Sequence, residues 1–120
     1  MSVYYKNNVK SIGSLANQFN ESNFLILFGD SAPAELKDYC YSVDVVPLDK
    51  EIKKGDTICF DENEYKVTAV GNEAQKTLEG LGHCTINFNG SEDVELPGTI
   101  YVEAKTMPQL KVGSEILIKD

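Results

Sequence analysis

The only histidine in the chain is His83, inside the stretch LEGLGHCTINFNG (residues 78–90). A single imidazole restricts the available chemistry. Cys84 follows it directly, but neighbours on a strand point to opposite faces, so the two are not placed to form a hydrogen-bonded dyad. A zinc site needs three or four ligands. One histidine and three scattered cysteines, Cys40, Cys59 and Cys84, form no short ligand motif. No G-x-x-x-x-G-K-[ST] or G-x-G-x-x-G string occurs, so the common nucleotide loops are absent. The carboxylates fall mostly in turn-like segments, DENE (61–64) and SED (91–93), and read as solvated surface.

Strand parity sharpens the reading of His83. If a strand begins there, His83, Thr85 and Asn87 share one face, while Cys84, Ile86 and Phe88 share the other, core-like face. An imidazole with one nitrogen oriented by a hydroxyl or amide neighbour keeps its other nitrogen free as a nucleophile. A structural role fits the same residue, because a histidine just past a helix end sits well against the negative end of the helix dipole. Both readings stay open on the residues alone.

The elements that must position His83 are mostly short strands separated by turn signals. SVYYKNNVKSIG gives a broken β pattern through Val3, Tyr5, Val9 and Ile12. NFLILFG (23–29) is a short apolar run bounded by Asn and Gly, which favours a buried strand over a helix. GDTICFDENEYKVTAVG (55–71) reads as a hairpin with strands 57–60 and 65–70 and its turn at 61–64. HCTINFNGSEDVEL (83–96) reads as a second hairpin around Asn89-Gly90. GTIYVEA (98–104) and GSEILIKD (113–120) supply further strands. KKGDTICFD (53–61) and KVGSEILIKD (111–120) predict two equivalent strand entries, each started by a glycine.

Two helices are predicted. In SAPAELKDYC (31–40) Pro33 suits a first helical position, and Leu36, Tyr39 and Cys40 recur at helical spacing. In NEAQKTLEGLG (72–82) Asn72 is the expected cap, with Gln75 returning the bond to its backbone. Ala74, Leu78 and Leu81 form its apolar stripe, and Gly80 or Gly82 ends it. The expected class is all-β with two short helices, as a small closed or nearly closed β-barrel.

The chain of 120 residues suits one domain and is long enough to bury a core without a stabilising metal or disulfide. Its net charge of −8, from 19 acids against 11 bases, repels phosphate backbones and anionic membranes. It suits a partner with a basic patch. The longest apolar run, Phe24–Phe28, is far below the roughly 20 residues of a membrane helix. The opening MSVYYKNNVK predicts no signal peptide, and three unpaired, widely spaced cysteines read as reduced thiols of a cytoplasmic protein. The aromatic SVYYK segment offers an edge that could pair with a second copy in a homodimer.

The segments FGDSAPAELKDYC (28–40), YKVTAVG (65–71), LEGLGHCTINFNG (78–90), LPGTIYV (96–102) and VGSEILI (112–118) together resemble the glucitol/sorbitol-type IIA components of the bacterial phosphoenolpyruvate-dependent sugar phosphotransferase system. The resemblance spans nearly the whole chain and implies one IIA-like domain over residues 1–120, mainly β and barrel-like. It implies a phosphoryl carrier that accepts from the histidine-containing phosphocarrier protein and passes to the IIB part of an IIB/IIC sugar transporter. It implies no metal or organic cofactor, no nucleic acid and no membrane insertion. In that pattern the phosphoryl-accepting histidine follows the Tyr-Cys pair by a few residues. Here the stretch is YCYSVDVV (39–46), and Val43 stands in the expected place. Valine has no nucleophilic atom. Asp44 beside it can form an acyl phosphate, but that is not the family's chemistry. His83 is then the candidate acceptor, supported by Thr85 and Asn87, or the chain is a non-phosphorylatable relative acting as a regulatory or binding module.

Overall fold

The computed structural model describes residues 2–120, apart from the side chains of residues 19–21. The described residues form nine strands: β1 (Val3–Asn8), β2 (Ser11–Ile12), β3 (Phe24–Phe28), β4 (Tyr41–Ser42), β5 (Thr57–Phe60), β6 (Asn63–Val70), β7 (Cys84–Asn87), β8 (Thr99–Val102) and β9 (Glu115–Lys119). Two α-helices, α1 (Ala34–Lys37) and α2 (Ala74–Leu81), and a 3-10 segment (Ala16–Ser22) complete them. The strands make one sheet in the order β1-β9-β5-β6-β8-β7-β3-β4-β2. The pairs β3–β4 and β7–β8 are parallel and the others antiparallel.

The two end strands of that order, β1 and β2, are consecutive in the chain. Val9 still pairs on the β9 side, its N–H donating to Ser114 at 2.9 Å, while the Lys10 N–H donates to Ser42 on β4 at 2.7 Å. One stretch of backbone therefore passes from one end of the sheet to the other and curls it into the expected barrel-like form. Asn7 bridges what is left open. Its Nδ2 donates to the Asp44 carbonyl at 2.7 Å, and the Asp44 N–H donates back to Oδ1 at 3.2 Å.

The interior holds one apolar cluster, including Leu25, Leu27, Val43, Ile58, Ile86 and Ile100. Burying each such side chain contributes roughly 1.5–3 kcal/mol. Phe60, Tyr65 and Phe88 meet within it, with Tyr65 and Phe88 edge to face at 4.8 Å between ring centres. The expected glycine-led entries are both present. Gly55 (φ 96°) and Gly113 (φ 95°) sit in matching turns ahead of β5 and β9. In each, the side chain after the glycine caps the turn: Asp56 accepts from the Lys53 N–H and Ser114 from the Lys111 N–H.

Several local expectations change. The register shifts between Val3 and Tyr5, so both Tyr4 and Tyr5 turn inward while Val3 is left exposed. The first hairpin has a shorter loop, Asp61-Glu62, because Asn63 and Glu64 already pair with Phe60 and Cys59. The 83–96 hairpin does not form. β7 is already flanked by β3 and, in parallel, by β8, so residues 88–98 cross over instead of pairing back. The Tyr101 hydroxyl holds that crossover by accepting from the Glu95 and Leu96 N–H groups at 3.1 and 2.8 Å.

The helix expected over 31–40 is one turn with no buried residue, and Pro33 is its N-cap rather than its first residue. It stops because Asp38 and Cys40 carbonyls accept from Leu15 and Gly13, which draws the chain into β4. α2 starts at Ala74 after Glu73, with no side-chain cap. Gln75 does not return to Asn72; its amide bonds the Ile52 N–H and the Lys50 carbonyl. Ala74 and Leu78 face the core as expected, but Leu81 is exposed. Gly82 ends the helix in the left-handed conformation (φ 68°), as its sequence position predicts.

Candidate functional site

Three chain segments converge beside His83: the end of β3 at Gly29, the α2–β7 junction at Leu81–His83, and the residues after β4 at Asp44-Val45. Only glycine fits where they meet. A Cβ on Gly82 would stand 2.9 Å from the Gly29 nitrogen, and one on Gly29 would stand 2.6 Å from the Leu81 carbonyl oxygen and 2.7 Å from a Val45 methyl. The Gly29 N–H donates to the Leu81 carbonyl at 2.9 Å. The left-handed Gly82 turns the chain out of α2, and the His83 N–H reaches back to the Thr77 carbonyl at 3.1 Å.

This placement sets the imidazole. His83 precedes the first residue of β7, and its ring stacks on Phe28 with centres 4.2 Å apart and planes 27° from parallel. Its Nδ1 lies 3.3 Å from the Leu27 carbonyl oxygen. A carbonyl only accepts, so Nδ1 carries the proton of the neutral ring and Nε2 carries the free lone pair. Among the described residues Nε2 has no hydrogen-bond partner. The ring is half-buried.

The strand parity holds. Thr85 and Asn87 lie on the outer face with half-buried side chains, and Cys84, Ile86 and Phe88 are buried. Among the described residues neither Thr85 nor Asn87 hydrogen-bonds the imidazole, however. The Leu27 carbonyl and the Phe28 ring orient it instead, across the β3–β7 pairing in which Leu27 faces Cys84. Among the described residues Asn87 Oδ1 is buried without a hydrogen-bond partner. The Cys84 thiol is enclosed in the core, where burial pushes its pKa up to about 12, against a smaller opposing effect of a backbone bond from Ile100. It stays protonated and is no partner for His83. All three cysteines are buried and free. No group of three or more His, Cys, Asp or Glu side chains comes together to hold a metal among the described residues.

Val43 occupies the opposite face of the same sheet. Its side chain is wholly buried in the core, and its N–H donates to the Phe28 carbonyl at 3.0 Å. The two positions are thus neighbours of one residue, with His83 on the Phe28 ring and Val43 on its backbone. Asp44 is exposed and pairs with Lys10 at 3.1 Å.

Residues 4–117 match the sequence model of the family described as PTS system glucitol/sorbitol-specific IIA component. The chain belongs to this family. Two PTS system glucitol/sorbitol-specific EIIA components, from Shigella flexneri and Escherichia coli (strain K12), are each 33% identical to this IIA component over 114 residues, covering 95% of this chain and 93% of the relative. The fold also matches the crystal structure of a PTS system IIA component from Enterococcus faecalis V583, with a TM-score of 0.81 and 24% identity over 93% of this chain and 97% of that one. Within this IIA component, the parity that sequence reasoning gave the His83 segment is the observed one, whereas the contacts of His83 with Leu27 and Phe28 and the bridge made by Asn7 were not read from the sequence. β3 was legible as a buried strand; the register that brings its end against His83 was not. No helix among the described residues is long and apolar enough to cross a membrane.

Proposed function

We propose that this IIA component is the cytoplasmic phosphoryl carrier of a glucitol/sorbitol-like phosphotransferase system, with Nε2 of His83 as its acceptor. It takes the phosphoryl group from the histidine phosphocarrier protein and passes it to the IIB part of the transporter. The observation that supports this most is the Leu27 carbonyl against Nδ1, which leaves the lone pair on Nε2. In the transfer, that lone pair forms a bond to phosphorus as the donor's nitrogen–phosphorus bond breaks, and the donor nitrogen recovers its electron pair. His83 keeps the Nδ1 proton, and the positive charge the ring acquires faces a carbonyl and the C-terminal end of α2.

Incubation with phosphoenolpyruvate, the first enzyme of the system and the phosphocarrier protein is expected to add one acid-labile, base-stable phosphate to the chain. His83→Gln removes it. Absence of any added mass on the wild-type protein refutes transfer. A second reading is then favoured by Val43: with an apolar, buried side chain at the family's acceptor position, the chain keeps the fold and binds its partners as a regulatory module. That reading expects a complex with the IIB/IIC transporter that survives His83→Gln, and a pull-down without the transporter counts against it.

A further inference from the structure

Asn89-Gly90 is the only Asn-Gly pair in the chain. Such a pair is chemically reactive for a simple reason. Glycine has no side chain to shield its backbone nitrogen, and none to keep the chain from the conformations in which that nitrogen meets the preceding side-chain amide carbon. The Asn89 side chain is exposed to water. Its Oδ1 accepts from the Ser91 N–H at 2.9 Å, which turns the side-chain amide back along its own backbone, and Gly90 follows at φ 70°.

Three bonds hold this turn. The Gly90 N–H donates to the carbonyl of Val102, a fully buried residue, at 2.8 Å. The Phe88 N–H, just before the pair, donates to the Asn23 carbonyl at 2.7 Å. Just after it, the Thr68 hydroxyl donates to the Ser91 carbonyl at 2.6 Å. The Gly90 nitrogen becomes a nucleophile only once its proton is gone. While that proton is bonded to Val102, hydroxide has no access to it. The reactivity of the pair is therefore gated by opening of the turn.

We infer that Asn89 is a site of spontaneous deamidation, carried out by hydroxide and water only in molecules whose Gly90–Val102 bond has opened. Hydroxide takes the Gly90 proton, and the nitrogen's electron pair forms a bond to Asn89 Cγ. The Cγ–Nδ2 bond breaks, Nδ2 takes a proton from water and leaves as ammonia, and a cyclic imide remains. Water then adds to one of the two imide carbonyls. Cleavage of one C–N bond gives aspartate at position 89; cleavage of the other gives an isoaspartyl link, in which the backbone runs through Cγ. The aspartate keeps an oxygen for the Ser91 N–H. The isoaspartyl form lengthens the backbone by a methylene between Phe88 and Gly90, so their bonds to Asn23 and Val102 no longer fall in register.

The test follows the mass gain from amide to acid, with peptide mapping, in the full chain at mildly alkaline pH, folded and in urea. The folded chain is expected to deamidate more slowly than the unfolded one by about a hundredfold or more, and by the same factor that slows hydrogen exchange at the Gly90 amide, since both need the same opening. Thr68→Val removes the bond to Ser91 without touching the pair. It is expected to speed deamidation of the folded chain about three- to tenfold and to leave the unfolded rate unchanged. Thr68→Ser, which keeps the hydroxyl, is expected to stay at the wild-type rate, and Asn89→Gln to lose the signal. The isoaspartyl product is expected to unfold at lower urea than Asn89→Asp. The proposal is overturned if folded and unfolded rates agree within about threefold, or if the folded rate does not follow Gly90 exchange. It is equally overturned if Thr68→Val changes nothing, or if the modified residue is an asparagine other than Asn89. Equal urea midpoints for the isoaspartyl product and Asn89→Asp would overturn the part played by the Asn23 and Val102 bonds.

Discussion

Truncating Asn7 to alanine removes the side chain that joins β1 to the segment carrying Asp44 and Val45. The Asn7 amide makes four bonds: Nδ2 to the Asp44 carbonyl (2.7 Å) and the Tyr5 hydroxyl (2.9 Å), and Oδ1 from the Asp44 and Asn8 N–H groups (3.2 and 2.9 Å). Asp44 and Asn8 are exposed, so water can replace part of what their backbones lose. The Tyr5 hydroxyl belongs to a side chain only 3% accessible and is left with a poorer environment. At about 0.5–1.5 kcal/mol for each bond, with the exposed partners at the low end, Asn7→Ala should cost about 2–4 kcal/mol. With a urea dependence of about 1–3 kcal/mol per molar, the unfolding midpoint should fall by roughly 1–2 M. Hydrogen exchange at the Asp44 amide should accelerate more than exchange in β5 or β6. Asn7→Asp should cost at least as much, because it sets a carboxylate oxygen against the Asp44 carbonyl. A midpoint for Asn7→Ala within about 0.3 M of wild type, well short of the drop expected from four lost bonds, would refute the bridging role. An Asn7→Asp variant as stable as the native protein would show that the bond directions are wrong.

Gly82→Ala forces a side chain into the left-handed region, about 1–2 kcal/mol, and drives its Cβ against the Gly29 nitrogen. It should lower the urea midpoint and slow phosphoryl uptake on His83 together, and a variant equal to wild type in both would contradict the account of the junction. Stability should also fall in alkali. Cys84 and Tyr5 are pushed from ordinary values of 9.0 and 10.0 to about 12 by burial, so the unfolded chain loses these protons first as pH rises. The folded state then binds more protons than the unfolded one, and its stability drains away between about pH 9 and pH 12. Urea midpoints that stay level across that window would count against the burial of both groups.

The parts of this fold that were legible in the sequence are those decided locally. Asn23 and Gly29 bound an apolar run that is β3, and the glycines before Asp56 and Ser114 mark two strand entries. Gly82 ends α2 because the left-handed conformation is open to it. The errors lie where a distant partner decides. Asn89-Gly90 does turn the chain, with Gly90 at φ 70°, but the Gly90 N–H goes to the Val102 carbonyl and the strand that follows joins β7 in parallel. Both faces of β8 are buried, a property of its neighbours rather than of the residues Thr-Ile-Tyr-Val. The site divides in the same way. Parity on β7 placed His83 outside the core, while the atoms that orient it come from the end of β3, through a register that no local pattern carries.

The passage of one strand from β9 to β4 also constrains when this protein can fold. Val3 pairs with Lys119 and Asn8 with Glu115, so the strand that seals the barrel is synthesised early and finds its partner only when β9 has been made. Until then β5 has one open edge, and the segment that Asn7 anchors beside His83 is untethered. Closure of so long a loop makes that pairing slow relative to hairpins such as β5–β6. A nascent chain therefore holds exposed strand edges until β9 has emerged, and the surface beside His83 becomes complete only after β1 and β9 have met.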